Sequence, residues 1–246
     1  MDRTERQIFD TLFDNDDTDF KSNLRTLIEQ HGLSALNEAR DNRLDGLIHR
    51  ALREDNQDHA KALLEEGLDL SSTDSFGNTP LHLAVALNQS ENVALLLEHG
   101  ADVRTVNVKN GTTPLHDAAE WGDAKLVDTL VDYGAIVDAV NRDGDTPLAI
   151  AVNGGGTEKV QRLLDWDADP VLAQQGMGWR LAQATIAQPP SANPRANEAC
   201  SAVRDCIGKV HVAAVDREQQ ELRHAMRDDH REEPAQAPAR RQRARL

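Results

Sequence analysis

The sequence predicts an all-α fold: a solenoid of helix-turn-helix units joined by β-turn or hairpin arms. Three observations predict it. A Thr-Pro pair recurs at Thr79, Thr113 and Thr146, at intervals of 34 and then 33 residues, and a fixed period of this size marks a stacked repeat array. Each pair opens two runs of apolar residues at helical spacing. Each second run closes on a residue suited to a left-handed turn, Gly100 and Gly134 in two units and Asp167 in the next.

Local chemistry accounts for each element in turn. Pro80, Pro114 and Pro147 take the first helical position, where a missing N–H is no loss. The threonines before them are N-caps. A short helix follows, carried by Leu81, Ala84 and Val85 in one unit and Leu115, Ala118 and Ala119 in the next; Asn88 or Gly122 ends it. The second helix carries Val93, Leu96 and Leu97, then Leu126, Val127, Leu130 and Val131. An extended arm with a turn at its tip completes the unit, at Phe76-Gly77-Asn78, Asn110-Gly111 and Asp143-Gly144. The longer interval has a visible cause, one extra residue in the arm from Asn107 to Gly111.

The Thr-Pro-Leu-His of two units and the trailing Leu-Leu-Glu-His-Gly-Ala-Asp that ends at Asp102 make the chain resemble the ankyrin repeats. The resemblance implies a β-turn followed by two antiparallel helices. It assigns Thr79, His82, Thr113, His116 and Thr146 a structural role, with each histidine bonding the threonine hydroxyl and neighbouring backbone. The fourth unit has Ala149 in the histidine position. The resemblance also implies partner binding through the turn tips and the exposed face of the first helix. Here those positions include Phe76, Asn78, Leu87, Lys109, Thr112, Glu120, Trp121, Arg142 and Asp145, with Arg53 and Glu54 extending the row. The repeat needs no large apolar group there, yet Phe76, Leu87 and Trp121 are large, and aromatic anchors ringed by polar groups are the usual make-up of interface hot spots.

The pattern decays on both sides. Gly46 to Ser72 reads as a further unit with Gly46 and Leu47 in place of Thr-Pro; it loses the cap but keeps Ile48, His49, Ala51, Leu63 and Leu64. Residues 1–42 read as a degenerate N-terminal helical cap, its two helices linked by the acidic stretch Asp14 to Asp17. Residues 43–174 hold the repeats. Residues 175–210 read as C-terminal capping helices, with Trp179 in the threonine slot and a helix from Ala196 to Val210 reached through a loop from Gln188 to Pro194. Residues 211–246 form a charged tail. Val215, Leu222 and Met226 suggest that part of it continues as helix, and the end from Pro234, with four arginines in its last six residues before Leu246, reads as disordered.

Composition narrows the function. The chain of 246 residues carries 42 acidic and 27 basic groups, a net charge of −15, which argues against nucleic-acid binding through phosphates. There is no apolar h-region at the start and no run long enough to span a membrane, so neither a signal peptide nor a membrane span is expected, and the cytoplasm is the expected compartment. Cys200 and Cys206 point about 240° apart on a helix and suit burial better than a bridge. No metal site or cofactor is expected. His49, His82 and His116 recur one per unit, on layers about 10 Å apart, too far to share an ion. His224, Asp228, Asp229 and His230 do not match a helical two-histidine site. The glycines at 154–156 lie between repeat helices, where a phosphate cradle would need a preceding strand. The expectation is a non-enzymatic, monomeric module that binds a protein partner with a basic rim and an apolar centre. Two alternatives stand beside it. Arginine outnumbers lysine, as in GC-rich bacterial genomes, and such a chain could be a bacterial immunity or inhibitor protein, or a secreted effector. The other is a structural protein that self-assembles through its C-terminal helix.

Overall fold

The computed structural model describes residues 3–13, 19–41, 45–186 and 194–229. Among them are thirteen helices and no strand. The acidic stretch Asp14 to Asp17, the loop 188–193, His230 and the arginine-rich end lie outside the described residues, as do the side chains of Cys200, Leu222, His224, Met226, Asp228 and Asp229.

The helices form hairpins: α1 (Arg3–Phe13) with α2 (Phe20–Glu38), α3 (Leu47–Arg53) with α4 (Gln57–Glu65), and α5 (Pro80–Ala86) with α6 (Ser90–Glu98). They continue with α7 (Pro114–Glu120) and α8 (Ala124–Asp132), α9 (Pro147–Asn153) and α10 (Thr157–Asp165), and, after the short α11 (Pro170–Ala173), α12 (Met177–Ile186) and α13 (Pro194–Asp229). First helices stack in the order α3, α5, α7, α9, α12. Second helices stack alongside, α2 on α4, α4 on α6, α8 on α10 and α10 on α13.

Equivalent residues of successive units build one continuous core. Leu63, Leu96, Leu130 and Leu163 are fully buried at one level, and Ala51, Ala84, Ala118 and Ala151 at another. Small alanines on the first helices let neighbouring units approach closely, and each buried leucine stabilises the stack by about 2 kcal/mol. No layer has a core of its own, so stability passes from unit to unit.

The arms share one construction. The backbone N–H of Asp74 donates to the Asn78 carbonyl (2.9 Å), that of Asn107 to Thr112 (2.8 Å) and that of Asn141 to Asp145 (3.0 Å). The extra residue of the middle arm widens its turn by one: the Gly77 and Gly144 N–H groups reach back three residues, and that of Gly111 reaches back four, to the Asn107 carbonyl (2.9 Å). The same closing bond recurs ahead of α3, where Asp41 N–H donates to the Asp45 carbonyl (2.9 Å) and Asp45 N–H to the Asp41 carboxylate (2.9 Å).

The ends differ from expectation. Gly32 breaks α2 in a left-handed conformation (φ 80°, ψ 154°), so a second helical segment stands where an arm would follow. Trp179 does not cap α12: the helix starts at Met177, and Trp179 lies in its first turn, only 3 % exposed, edge-on to His211 with ring centroids 5.5 Å apart. Helix α13 starts at Pro194 and runs unbroken for 36 residues, through most of the stretch read as tail. No helix of the described residues is long and apolar enough to cross a membrane.

Candidate functional site

The surface that the array presents is set by how its units are joined. In α5, His82 Nδ1 accepts from the Thr79 hydroxyl (2.8 Å) and backbone N–H (3.4 Å), closing a reciprocal cap. Its Nε2 lies 3.1 Å from the Thr112 carbonyl of the next unit. His116 repeats this with Thr113 (2.9 and 3.1 Å) and the Asp145 carbonyl (3.0 Å). Each ring is therefore the neutral tautomer, accepting at Nδ1 and donating at Nε2. Burial pushes the pKa of the three first-helix histidines, His49, His82 and His116, below the ordinary range, that of His82 to about 4. Thr146, without a histidine, accepts from the Ala149 N–H at 3.2 Å.

The arm tips are tied edge to edge. Asn107 Nδ2 donates to Asn78 Oδ1 (2.6 Å) and to the Phe76 carbonyl (3.3 Å). Arg142 donates through Nη1 to the Lys109 carbonyl (2.6 Å) and through Nη2 to that of Val108 (2.7 Å), while Lys109 Nζ bonds the Ser75 carbonyl. A Cβ on Gly77 would come within 3.0 Å of a Val108 methyl, and Gly77 has a positive φ (84°), so only glycine fits beneath the neighbouring arm.

Against this frame the expected site residues fall into two groups. Phe76 (64 % exposed), Trp121 (62 %) and Leu87 (43 %) point outward, with Lys109, Glu120 and Arg142 exposed among them. Phe76 is at an arm tip; Leu87 and Trp121 cap the C-termini of α5 and α7. An open groove of about 420 Å³ between the ends of α3 and α5 is lined by Leu87, Arg53 and Gln57. Asn78, Thr112 and Asp145 are turned into the scaffold. Asn78 bonds Asp74 and Asn107, and Thr112 bonds Asn110 (2.9 Å). Asp145 accepts from the Gly178 N–H (2.6 Å), fastening α12 to the array, and a Cβ on Gly176 would collide with its carboxylate. Arg53 is likewise occupied, bridging the buried carboxylates of Asp45 (2.7 Å) and Asp74 (2.9 Å).

Sequence reading missed two features. Asp117 lies one turn before Glu120 and Trp121 and is 9 % exposed; burial raises its pKa to about 7, opposed by a hydrogen bond from Thr112 and reinforced by Glu120. Tyr133 and Trp166 are exposed at the C-terminal ends of α8 and α10 and Ile136 in the loop after α8, Trp166 Nε1 donating to Asp128 (2.9 Å). Departures from the repeat pattern at these positions are the only sequence signal for either. No group of three His, Cys, Asp or Glu among the described residues is placed to hold a metal ion.

Comparison with known proteins agrees with this geometry. The family model for ankyrin repeats (3 copies) matches residues 20–107 and 104–174. A putative ankyrin repeat protein, FPV219, of fowlpox virus (strain NVSL) is 38 % identical over 61 residues, 25 % of this chain and 14 % of that protein. The potassium channel AKT2/3 of Arabidopsis thaliana is 42 % identical over 64 residues, 26 % of this chain and 8 % of the channel. The chain thus matches only a small part of each relative's length. With the matched segments together covering residues 20–174, and with paired helices, turn-tipped arms and Thr-His caps repeating in register, the chain belongs to the ankyrin-repeat family.

Proposed function

We propose that the chain is a non-enzymatic binding module of the cytoplasm that holds a protein partner on its concave side, across the arm tips and the ends of the first helices. The observation that carries this reading is the exposure of Phe76, Leu87 and Trp121, three large apolar groups, in an array whose core is already complete without them. Lys109, Glu120 and Arg142 surround them, with Asn78, Thr112 and Asp145 holding the backbone beneath. The net charge of −15 favours a partner whose rim is basic around an apolar centre. The arms are cross-bonded before any partner arrives, so binding costs little further ordering entropy.

The test is copurification with tagged protein at low salt, wild type beside a Phe76→Ala/Trp121→Ala variant of unchanged helical content. The expected result is a partner retained by wild type, lost from the variant and released as salt rises. Equal retention by both proteins overturns the concave-side reading.

A further inference from the structure

The second helices α4, α6, α8 and α10 are each nine residues long; α13, in the same structural place, has 36. One side of it is anchored. Cys206, Ile207 and Val210 are buried, the helix packs on α9 to α12, and Arg217 Nη1 lies 3.8 Å from Asp169 Oδ1. By helical geometry the opposite side carries Val212, Val215 and Gln219 in one stripe. Val212 is 64 % exposed and Val215 52 %. Their spacing of three and four residues continues in the sequence at Leu222 and Met226, the apolar pattern of paired helices. Past Arg217 the described side chains, Glu218, Gln219, Gln220 and Arg223, are all exposed, while the backbone stays helical to Asp229. About 18 Å of helix thus extends beyond the last anchoring residue. Val212 and Val215 thus stand bare within an otherwise polar outer face, and no later described element covers them.

We infer that this stripe is an interface for a second copy of the chain, the two α13 helices pairing antiparallel through Val212, Val215 and Gln219. The flanking charges fit such a pair. Asp216 and Arg223 occupy the same flanking position in successive heptads, and antiparallel pairing brings like flanking positions together. Asp216 of each copy then faces Arg223 of the other, twice in the dimer. Antiparallel pairing also lays the extended end of each helix against the anchored Val212 and Val215 of the other; a parallel pair would leave the two extended ends only each other. The proposed dimer takes up the alternative of self-assembly through the C-terminal helix, stands against the monomer expected from the sequence, and is independent of the concave-side reading, since none of its residues belongs to that surface.

Solution mass of the full chain, followed by light scattering across the micromolar range, tests it. Wild type is expected to show twice the chain mass, falling to the single-chain value on dilution. Val215→Glu is expected to abolish the dimer with helical content unchanged. Asp216→Arg or Arg223→Asp alone places like charges opposite each other and weakens dimerisation by about tenfold. The double variant Asp216→Arg/Arg223→Asp recovers it, which parallel pairing would not allow, because the carboxylate introduced at position 223 would then face Glu218. A single-chain mass at every wild-type concentration, a dimer indifferent to Val215→Glu, or a double variant as weak as the single ones overturns the proposal.

Discussion

His82 Nε2 lies 3.1 Å from the carbonyl oxygen of Thr112, thirty residues further along the chain. That bond crosses from one unit to the next, and the Thr79 N–H and hydroxyl on Nδ1 select the tautomer that carries its proton on Nε2. Protonation would put a second N–H where Nδ1 must accept from the Thr79 backbone N–H, so the cap depends on the neutral ring.

A loss of stability in mild acid follows. The folded pKa of His82, about 4, is below the ordinary value of 6.5. Between these values the unfolded chain binds the proton and the folded chain does not, so stability falls as pH drops through 6.5 and stops falling near 4. From pH 7 to pH 5 this single group contributes a loss of roughly 2 kcal/mol. Tm measured against pH for wild type and His82→Asn checks it: the variant, less stable throughout, should have the shallower slope between pH 4.5 and 6.5. Equal slopes would mean that another group controls the acid limb.

His49 lacks the partner that His82 has. Its Nε2 reaches the Asn78 carbonyl at 3.0 Å, but its buried Nδ1 has no hydrogen-bond partner, because Gly46 stands at the cap. Gly46 already has the backbone of a capping threonine (φ −74°, ψ 170°, against −72° and 166° at Thr79). A Cβ there would sit 3.5 Å from His49 Nδ1 and 3.5 Å from Arg40 Nη1, in ordinary contact. Gly46→Thr is therefore expected to stabilise the chain by about 1–2 kcal/mol, through the cap and the satisfied nitrogen. The urea midpoint should rise for Gly46→Thr and not for Gly46→Ala, which adds the carbon without the hydroxyl. A similar rise for both would assign the effect to the unfolded chain.

The repeating helices are legible in the sequence because their core positions recur. Leu96 and Leu130 are recognisable as equivalents from their spacing alone, and the inserted residue in the Asn107 arm is visible as a change of interval. The ends are less legible for the same reason: the break at Gly32 and the short α11 each occur once, so no second copy reveals them, and the spacing of Val215, Leu222 and Met226 suggests continued helix without fixing where it stops. Within the candidate site, periodicity places Phe76, Leu87 and Trp121 outward and the structure agrees. It cannot show that Asn78, Thr112 and Asp145 turn inward, because that depends on hydrogen bonds to the neighbouring arm or to α12.

Asp117 shows how a departure from the repeat can cost stability beneath the candidate surface. Its equivalents are Leu83, buried, and Ile150, packed on the core. A carboxyl group replaces an apolar one, and burial lifts its pKa from 3.8 to about 7. The Thr112 hydroxyl has one proton to give, and Asn110 Oδ1 competes for it at 2.9 Å. The folded chain thus holds a proton that the unfolded chain has lost, so stability falls as pH rises from 3.8 towards 7 and levels off above it. Asp117→Asn removes this titration, and its advantage over wild type should grow by something of the order of 2 kcal/mol between pH 5 and pH 8. This trend is opposite in sign to that of His82, so the two are separable in one set of denaturation curves. Asp117→Leu, which restores the repeat's own residue type, should be the more stable protein at both pH values. If the gain from Asp117→Asn is the same at pH 5 and pH 8, the wild-type carboxyl titrates normally, and its position one turn from Glu120 and Trp121 carries no electrostatic cost.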